Sequence, residues 1–315
     1  MTTTRTEVEI VIVGGGSAGL SAALTLSRAR RRVVVIDSGE PRNAPAAGAH
    51  GLLGQEGINP LEMLRKGRDE VTSYGGQVID GRVTDARAEG AGFRVRTDAG
   101  GDITARAVLL ATGTRDQMPD IPGLAERWGK DVIHCPYCHG WEIRDQRIGV
   151  LATGPMSALQ ALMFSQWSAD VQFFSQGLDY SPADLAKLTA TGIRIDTRTI
   201  TGVEAQDDHL TRVRLDDGST VAVDALVVPT ATRARLDGLD GLGVEVSESP
   251  AGTAVTVDSA GHTSVPGVWA AGNLAQPATQ VSESAANGAR VAMTMNTELI
   301  FQDADRAVQE TENHR

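Results

Sequence analysis

Cysteine is scarce in this sequence, and its scarcity excludes one class of protein. Only two cysteines occur among 315 residues, at positions 135 and 138. A small secreted domain held together by disulfides needs more cysteines, distributed along the chain. Because both cysteines lie in one tetrapeptide, Cys135-Pro136-Tyr137-Cys138, they are candidates for local chemistry and not for a structural scaffold.

Positive charge and long apolar runs are also lacking. The chain has 29 Lys and Arg against 40 Asp and Glu, a formal net charge of −11 at pH 7. Such a surface repels polyanions, so a nucleic-acid partner is not expected. No segment approaches the roughly 18 consecutive apolar residues of a membrane span, and residues 1–7 lead into a strand-like run without the apolar core of a signal peptide. We therefore expect a cytoplasmic protein with no membrane partner.

Glycine, in contrast, is abundant. The 35 glycines, together with 41% hydrophobic residues, predict a globular protein with many tight turns. The length is sufficient for two domains of ordinary size.

The first 40 residues have the pattern of a dinucleotide-binding βαβ unit. The apolar run VEIVIV is followed by the loop 14–19 (GGGSAG), a helical stretch rich in Ala and Leu, and a second strand that ends at Asp37. The first glycine makes the tight turn, the third, Gly16, lets backbone N–H groups approach a pyrophosphate, and Gly19 lets helix and strand pack closely. Asp37 is placed to accept hydrogen bonds from a ribose.

Part of the sequence repeats. Residues 10–20 align with 148–158, and residues 92–113 align with 210–231. Each copy has an opening strand and helix, and later a hairpin with a glycine-containing turn. The alignment predicts two tandem α/β units of the same type.

The segment after the second copy has to rejoin one of the two units. It begins at about Arg233, and we expect it to complete the first unit, which is then discontinuous in sequence. The charged tail after Phe301 is expected to fray.

The second copy has lost most of its glycine loop. Ala152 and Ser157 stand where the first copy has its first and last functional glycines, and Pro155, which has no N–H, follows the surviving Gly154. NADPH needs a cation for its 2′-phosphate after the next strand, and no Lys or Arg occurs between 172 and 186. NADH would need an acidic residue there for its ribose, but the strand is followed directly by Ser175-Gln176-Gly177. This loop is predicted to bind neither nicotinamide cofactor.

The spacing of the cysteine pair fits either a redox disulfide or half of a metal site. A structural zinc site needs four ligands, and the sequence has neither a second Cys-x-x-Cys nor a suitable His-x3–5-His pair. Two cysteines at this spacing can close a small disulfide ring and reopen it. We interpret the pair as redox-active and expect no metal.

Four motifs, in this order, resemble the low-molecular-weight thioredoxin reductase family of flavoproteins: GGGSAG at 14–19, ATG at 111–113, CPYCHG at 135–140 and VWAAGN at 268–273. The resemblance covers nearly the whole chain and implies an α/β protein with two Rossmann-like, doubly wound domains. The FAD domain would comprise residues 1–117 and 234–315, and a central NAD(P)-like domain, residues 118–233, would carry the cysteines. Members of the family are homodimers, so we expect a homodimer.

The resemblance also implies which residues contact FAD. The family usually has Asp where this chain has Asn273, which retains a hydrogen-bonding side chain without the charge. His50 falls where the flavin-facing loop of the family runs, although a surface histidine is equally compatible with the sequence. The implied FAD contacts are Gly14, Gly16, Ser17, Ala18, Gly19, Asp37, Arg42, Asn43, His50, Val83, Ala111, Thr112, Gly113, Gly272, Asn273, Gln280 and Val281.

A closer resemblance is to thioredoxin-reductase-like dithiol oxidases that form disulfides in natural products, such as gliotoxin oxidase and holomycin dithiol oxidase. They share the Cys-x-x-Cys, the glycine that follows it, and a second-domain strand similar to GVLATGP at 149–155. The resemblance implies that electrons pass from a dithiol through the cysteines to FAD and then to O2, which gives H2O2 without NAD(P)H.

The resemblance assigns separate roles to the two sulfur atoms. Cys138 is the flavin-proximal one, and Cys135 is the outer one that meets the substrate. His139 stands where the reductases have an acidic residue, and His139 or His134 could exchange protons with the substrate thiols. Either histidine could instead only pack or face water.

Three other functions remain open at the level of sequence. They are an NADPH-dependent thioredoxin reductase, a ferredoxin-dependent reductase, and a flavin redox sensor that does not turn over. The substrate could be a small-molecule dithiol or a thioredoxin-like protein, and the sequence does not identify it.

Overall fold

Cα packing divides the chain into two compact units in the computed structural model, which describes residues 5–313. The first unit contains the described residues up to Arg42, Leu61–Arg115 and the residues from Thr232 onward; the second contains Asn43–Pro60 and Asp116–Ala231. The segment 43–60, which the sequence-based division assigns to the FAD domain, therefore packs with the second unit. Residues 1–4 and 314–315, the ends of the predicted FAD domain, lie outside the described residues.

Helices and strands alternate along most of the chain. In chain order they are β1 (Arg5–Val13), α1 (Ser17–Arg28), β2 (Val33–Asp37), α2 (Pro60–Ser73), β3 (Gln77–Asp80), β4 (Val83–Glu89), β5 (Gly92–Thr97), β6 (Asp102–Leu110), β7 (Thr114–Gln117), β8 (Val132–Ile133), α3 (Pro136–His139), β9 (Ile148–Leu151), α4 (Ser157–Phe164), β10 (Val171–Phe174), α5 (Pro182–Ala190), β11 (Arg194–Asp196), β12 (Ile200–Gln206), β13 (His209–Leu215), β14 (Thr220–Ala222), β15 (Ala225–Val227), β16 (Ala231–Ala234), β17 (Val246–Ser249), β18 (Gly252–Val255), β19 (Val268–Ala270) and α6 (Val281–Asn313).

The first unit is built on a seven-stranded sheet of order β3-β2-β1-β6-β5-β4, with β19 beside β6. Strands β1, β2, β6 and β19 run parallel and are rich in Val, Ile and Ala, as expected for strands covered on both faces. Helices α1 and α6 cover one face and bury Ile10, Ile12 and Trp269. The opposite face has its own core, which includes Phe93 and Leu242.

Helix α6 corrects one expectation. It runs without interruption from Val281 to Asn313, so residues 302–313 are helical, and the predicted fraying is wrong for them; residues 314–315 lie outside the described part of the chain. Asp303 accepts hydrogen bonds from Arg31 at 2.8 Å and Arg106 at 2.6 Å, which hold this part of the helix against the sheet. The tail is also rich in Ala, Glu and Gln, which favour helix. Among the described residues, no helix is long and apolar enough to cross a lipid bilayer.

The second unit repeats the architecture of the first on a smaller scale. Its parallel sheet has the order β11-β10-β9-β15-β8, and β12, β13 and β14 form a separate antiparallel sheet. The unit β9-α4-β10 corresponds to β1-α1-β2, and the two predicted hairpins are the antiparallel pairs β5/β6 and β13/β14. The α/β class with two Rossmann-like sheets is thereby confirmed.

Candidate functional site

The two cysteines form a disulfide at the carboxyl end of strand β8. Their Cα atoms are 5.2 Å apart. Pro136 begins the single turn of α3, where its missing N–H costs nothing. The N–H groups of Cys138 and His139 point back to the carbonyl of Cys135 at 3.3 and 3.2 Å. Because β8, β9, β10 and β15 are parallel, the loops that follow them meet at one edge of the sheet, the usual location of sites in such folds.

Aromatic side chains surround the disulfide turn. A Cβ on Gly140 would lie 2.7 Å from the ring of Trp167, so glycine is required for this ring to pack against the turn. Tyr137 meets Trp167 edge-on at 5.9 Å, and Arg144 stacks on Trp141 at 4.2 Å. Tyr137 and Trp141 are 64% and 65% exposed, so the turn presents aromatic surface next to the sulfur atoms.

His139 is held in an unusual environment. Both of its ring nitrogens are buried and have no hydrogen-bond partner among residues 5–313. Burial lowers the pKa of His139, and the carboxylate of Glu142 opposes this in part. The ring is therefore neutral at pH 7, the state that can accept a proton.

His134 is tied to the neighbouring strand connection. Its Nδ1 lies 3.2 Å from the backbone nitrogen of Thr230 and 3.3 Å from the carbonyl oxygen of Val228. Its carbonyl accepts a hydrogen bond from the side chain of Gln160 on α4. These contacts indicate that His134 positions the segment before Cys135, whereas His139 has free ring nitrogens.

The loop 43–60 brings His50 to the same unit as the disulfide. Its Nδ1 lies 2.7 Å from Glu56 Oε1, and its Nε2 lies 3.5 Å from Glu142 Oε1. A contact between His50 and FAD stays a prediction, as do those of Arg42 and Asn43, where the chain passes from the first unit to the second.

The glycine loop of the first unit has the shape that a nucleotide requires. Gly14 has φ +106°, and a Cβ there would lie 2.4 Å from the carbonyl oxygen of Ala111, while one on Gly19 would lie 1.9 Å from the oxygen of Gly14. Around Gly16, by contrast, there is open space, and Ser17 and Ala18 begin helix α1 behind it. This arrangement fits a diphosphate at the start of α1.

Asp37 is fixed in place at the end of β2. It accepts a hydrogen bond from Gly15 N at 3.1 Å and one from Arg68 at 2.7 Å, on different carboxylate oxygens. Each oxygen can accept a second bond, so ribose hydroxyl groups fit here. Arg68 could not be found from the sequence, because 31 residues separate it from Asp37.

The later FAD-contact candidates also lie in the first unit. Thr112 donates to the carbonyl of Arg235 at 2.6 Å, and Gly113 has φ +70°. Gly272 has φ +69°, and its N–H donates to Asn287 at 2.8 Å. Val83 is buried on β4, and Gln280 directly precedes Val281, the first residue of α6.

Asn273 shows why an amide stands where the family usually has a carboxylate. Its Nδ2 donates to the carbonyls of Gln276, Pro277 and Thr279 at 3.3, 3.0 and 2.8 Å. A carboxylate would be repelled by these oxygens. The Oδ1 atom of Asn273 can still accept a hydrogen bond from a cofactor hydroxyl.

The backbone groups of the glycine loop of the second unit are bonded by the protein's own residues. Ser157 Oγ accepts the N–H groups of Thr153 at 3.0 Å and Gly154 at 3.3 Å. The Tyr180 hydroxyl donates to the carbonyl of Gly154 at 2.8 Å, and Thr153 Oγ1 donates to Pro229 at 2.6 Å. The amides that a diphosphate would need are therefore already used within the loop.

The arginine that follows the adjoining strand, at the ribose end of the same loop, is already paired. After β10 the chain reads Ser175-Gln176-Gly177, and the side-chain Oε1 of Gln176 accepts a hydrogen bond from the N–H of Ile200 at 3.2 Å. Arg198, which follows the adjoining strand β11, is engaged by Asp196 and Asp217 at 2.7 and 2.9 Å.

Comparison with known proteins identifies the family. Residues 8–293 match the model described as pyridine nucleotide-disulphide oxidoreductase. The chain belongs to this family. It is 33% identical to thioredoxin reductase tcpT of Claviceps purpurea, over 93% of this chain and 94% of that protein, and 32% identical to thioredoxin reductase aclD of Aspergillus oryzae, over 94% and 97%.

Solved structures support the same assignment. The crystal structure of HlmI has a TM-score of 0.92 and 42% identity, covering 98% of this chain and 97% of that one. The oxidoreductase from Agrobacterium tumefaciens has a TM-score of 0.88 and 37% identity, over 94% and 99%. The resemblance predicted from the motifs is confirmed: the protein is a thioredoxin-reductase-like, flavin-dependent thiol-disulfide oxidoreductase, and its cofactor is FAD.

The sequence motifs do not point to several residues of this thioredoxin-reductase-like site. Glu142 had a readable signal, since a carboxylate three residues after a histidine lies on the same side of a helical turn. Glu56 and Tyr180 had none, because their partners depend on how distant segments pack.

Within the described residues, no group of three or more His, Cys, Asp or Glu side chains forms a metal site.

Proposed function

We propose that the protein is a dithiol oxidase, which passes electrons from a dithiol substrate through Cys135 and Cys138 to FAD and then to O2, giving H2O2 without NAD(P)H. The observation that carries the proposal is the contrast between the two loops. Both loops have open space at their middle glycine, Gly16 or Gly154, but in the second loop the hydroxyl of Ser157 accepts the N–H groups of Thr153 and Gly154. An intact disulfide in the same unit as a nicotinamide loop whose amides are already satisfied favours electrons that enter as thiols.

The proposed reaction begins at Cys135. A substrate thiolate attacks its sulfur, the Cys135–Cys138 bond breaks, and Cys138 leaves as a thiolate. The second substrate thiol gives its proton to His139, and its sulfur attacks the substrate sulfur of the mixed disulfide. Cys135 is released, and the substrate leaves as a disulfide, oxidised by two electrons that now reside on the cysteine pair. FAD, when bound, accepts these two electrons and makes them available to O2.

His139 suits this role because its burial keeps it neutral near pH 7. A buried imidazole close to the disulfide can take the proton of an incoming thiol and return one to a leaving thiolate. The exposed rings of Tyr137 and Trp141 supply apolar surface for the body of the substrate.

The proposal is tested by comparing reductants without oxygen. Purified enzyme is mixed anaerobically with dithiothreitol or with NADPH, and the flavin band is followed in a stopped-flow spectrometer. Dithiothreitol should bleach the flavin within seconds, and NADPH should leave it yellow. Rapid bleaching by NADPH would overturn the proposal. Admission of air should then restore the colour and form one H2O2 for each dithiol oxidised.

A second candidate is an NADPH-dependent thioredoxin reductase, since relatives carry that name and the second unit retains its parallel sheet. Coupled consumption of NADPH and reduction of thioredoxin would establish it. Bleaching by reduced ferredoxin alone would point to a ferredoxin-dependent enzyme, and bleaching without repeated turnover would point to a sensor.

We also propose a homodimer. Helix α6 exposes apolar side chains at helical spacing along its outer part, at Met293, Ile300, Phe301 and Val308. A second copy of the chain would remove this surface from water. Sedimentation velocity should give twice the chain mass. Phe301→Glu should shift the protein toward monomer and the control Glu312→Gln should not; a wild-type monomer at micromolar concentration would contradict the proposal.

A further inference from the structure

Helix α4 contacts the disulfide turn, although a helix at this place in a nicotinamide-binding unit faces the diphosphate. It follows the second glycine loop and belongs to the same unit as the cysteines. The hydroxyl of its first residue, Ser157, accepts two N–H groups of that loop, and its last residue, Phe164, is fully buried. Because the helix is fixed at both ends, a side chain on it can hold a neighbouring segment in place.

One side chain of α4 holds the residue before the disulfide. Gln160 donates a hydrogen bond from its Nε2 to the carbonyl oxygen of His134. A carbonyl oxygen only accepts, so the amide nitrogen of Gln160 has to face it. This carbonyl belongs to the peptide group that joins His134 to Cys135, and the hydrogen bond therefore acts on the backbone of the outer cysteine.

The connection after β15 contacts the same residue from another direction. The Nδ1 of His134 lies 3.2 Å from the backbone nitrogen of Thr230. The preceding residue, Pro229, accepts a hydrogen bond at its carbonyl from Thr153 Oγ1 at 2.6 Å. The start of the disulfide turn is thereby tied to α4 and also to the glycine loop that precedes this helix.

Trp167, three residues beyond α4, holds the other end of the turn. A Cβ on Gly140 would lie 2.7 Å from its ring, and the ring of Tyr137 meets it edge-on with the centroids 5.9 Å apart. Its carbonyl accepts the N–H of Asp145 at 2.9 Å, and its own N–H donates to the carbonyl of Phe164 at 3.0 Å. The residues that follow the second cysteine are thus packed against the end of the same helix.

We propose that Gln160 is a positioning residue that holds Cys135 close to Cys138 and so favours the closed disulfide over the open dithiol. On reduction by a dithiol, the S–S bond breaks, each cysteine sulfur gains a proton, and the reductant loses two electrons and two protons as it forms its own disulfide. The two cysteine thiols then remain close only if the backbone on both sides of the turn is held. Gln160 on one side and Trp167 on the other therefore raise the effective concentration of each thiol beside its partner.

This role goes beyond the proposed function, because it concerns the cysteine pair alone. It holds whether the electrons of the pair pass to O2 or come from NADPH. It also gives α4 a use in a unit whose glycine loop is already bonded internally.

The test measures the equilibrium of the cysteine pair with dithiothreitol. FAD-loaded enzyme is equilibrated without oxygen over a range of ratios of oxidised to reduced dithiothreitol. Free thiols are then alkylated with iodoacetamide, and intact mass gives the reduced fraction, while the flavin band reports the electrons held by FAD. Gln160→Met keeps the length of the side chain and removes the donor. It should raise the equilibrium constant for reduction about threefold to tenfold, the contribution of one hydrogen bond, which is a rise in midpoint potential of about 15–30 mV.

The matched control is Gln166→Met, the same chemical change at an exposed position just beyond α4. Urea unfolding of both variants separates stability from the cysteine equilibrium, since a purely structural role would lower stability and leave the reduced fraction unchanged. An unchanged or lower reduced fraction in Gln160→Met would overturn the proposal. Gln160→Ala, which also lacks the donor and favours helix, takes its place if the methionine variant does not fold. A wild type that consumes no O2 would refute the oxidase proposal and leave this measurement unaffected.

Discussion

At the scale of single residues, one hydroxyl group distinguishes the two nucleotide loops. Both loops follow a parallel strand and precede a helix, and both offer backbone N–H groups toward the space in front of that helix. In the second loop, Ser157 is fully buried and its Oγ satisfies two of these groups. In the sequence, Ser157 reads only as the replacement of a glycine. In the structure, its hydroxyl is the hydrogen-bond acceptor for two backbone amides of the loop.

Replacement of Ser157 by alanine tests this directly. The amides of Thr153 and Gly154 would lose their common acceptor, and we expect unfolding to become easier by about 1–3 kcal/mol. The control is Ser165→Ala in the same region, since Ser165 only donates to the helical carbonyl of Leu162. Chemical denaturation with urea measures both variants; equal losses would show that Ser157 does not hold the loop.

Asn273→Asp tests the explanation for the departure from the family pattern. The variant replaces a donor to three carbonyls with a negative charge facing them, which should cost about 2 kcal/mol. Asn296→Asp serves as the matched change, because Asn296 uses its oxygen to accept from Arg31 and would keep this bond. The melting temperatures of the two variants test the explanation, which requires a clearly larger decrease for Asn273→Asp than for Asn296→Asp.

Residues whose role follows from their chemical identity could be predicted from the sequence. Residues whose role depends on a partner far away in the chain could not. The cysteine pair and the glycines at 14 and 19 were readable because only those residues can form the disulfide or fit the close backbone contacts. The partner of Asp37 and the Glu56–His50–Glu142 series were not, since each contact joins segments brought together by folding. Those contacts determine how the side chains are oriented, which a motif does not encode.

At the scale of elements, helix α6 is attached to the first unit by charges as well as by its apolar face. His262 contacts Asp258 at 2.8 Å and Glu298 of α6 at 2.5 Å. Burial would lower the pKa of His262, but the hydrogen bonds to these two carboxylates outweigh it and raise the pKa above its ordinary value. The protonated ring therefore joins α6 to the loop before β19.

This attachment should depend on pH in a defined direction. Because the folded protein has the higher pKa, the contribution of His262 is complete below the ordinary histidine pKa and is lost as the pH rises through the folded value. The His262→Gln variant should lose stability relative to wild type at pH 5.5, by on the order of 0.5 kcal/mol after solvent screening, and little at pH 9. Urea unfolding at both pH values checks this; an equal loss at the two would indicate packing alone.

The elements themselves were largely predictable, and the exception follows from long-range contacts. The opening strand, helix and second strand lie where the apolar pattern placed them, because both faces of the sheet are buried. The tail after Phe301 was misjudged because its composition is polar. Its order depends on Asp303 meeting Arg31 and Arg106, and neither arginine is near it in sequence.

At the scale of the whole molecule, the candidate cofactor-binding residues and the redox-active disulfide lie mainly in different units. The residues that fit FAD lie mainly in the first unit, and the disulfide with His139 lies in the second.

We expect Cys138→Ser to keep the yellow colour of bound FAD while dithiol oxidation falls at least a thousandfold, because thiol exchange needs both sulfur atoms. Absorbance at the flavin band and O2 uptake are measured on the same sample, with Ser165→Ala as a control. Retained turnover would remove Cys138 from the reaction.

The placement of residues 43–60 has a consequence for anyone who wishes to dissect the protein. The backbone passes from one unit to the other four times, after positions 42, 60, 115 and 231. Neither unit corresponds to a continuous gene fragment, and a clone of 116–231 would omit the hairpin that bears His50. A faithful excised version of the disulfide unit would need that hairpin grafted back by a linker or by circular permutation.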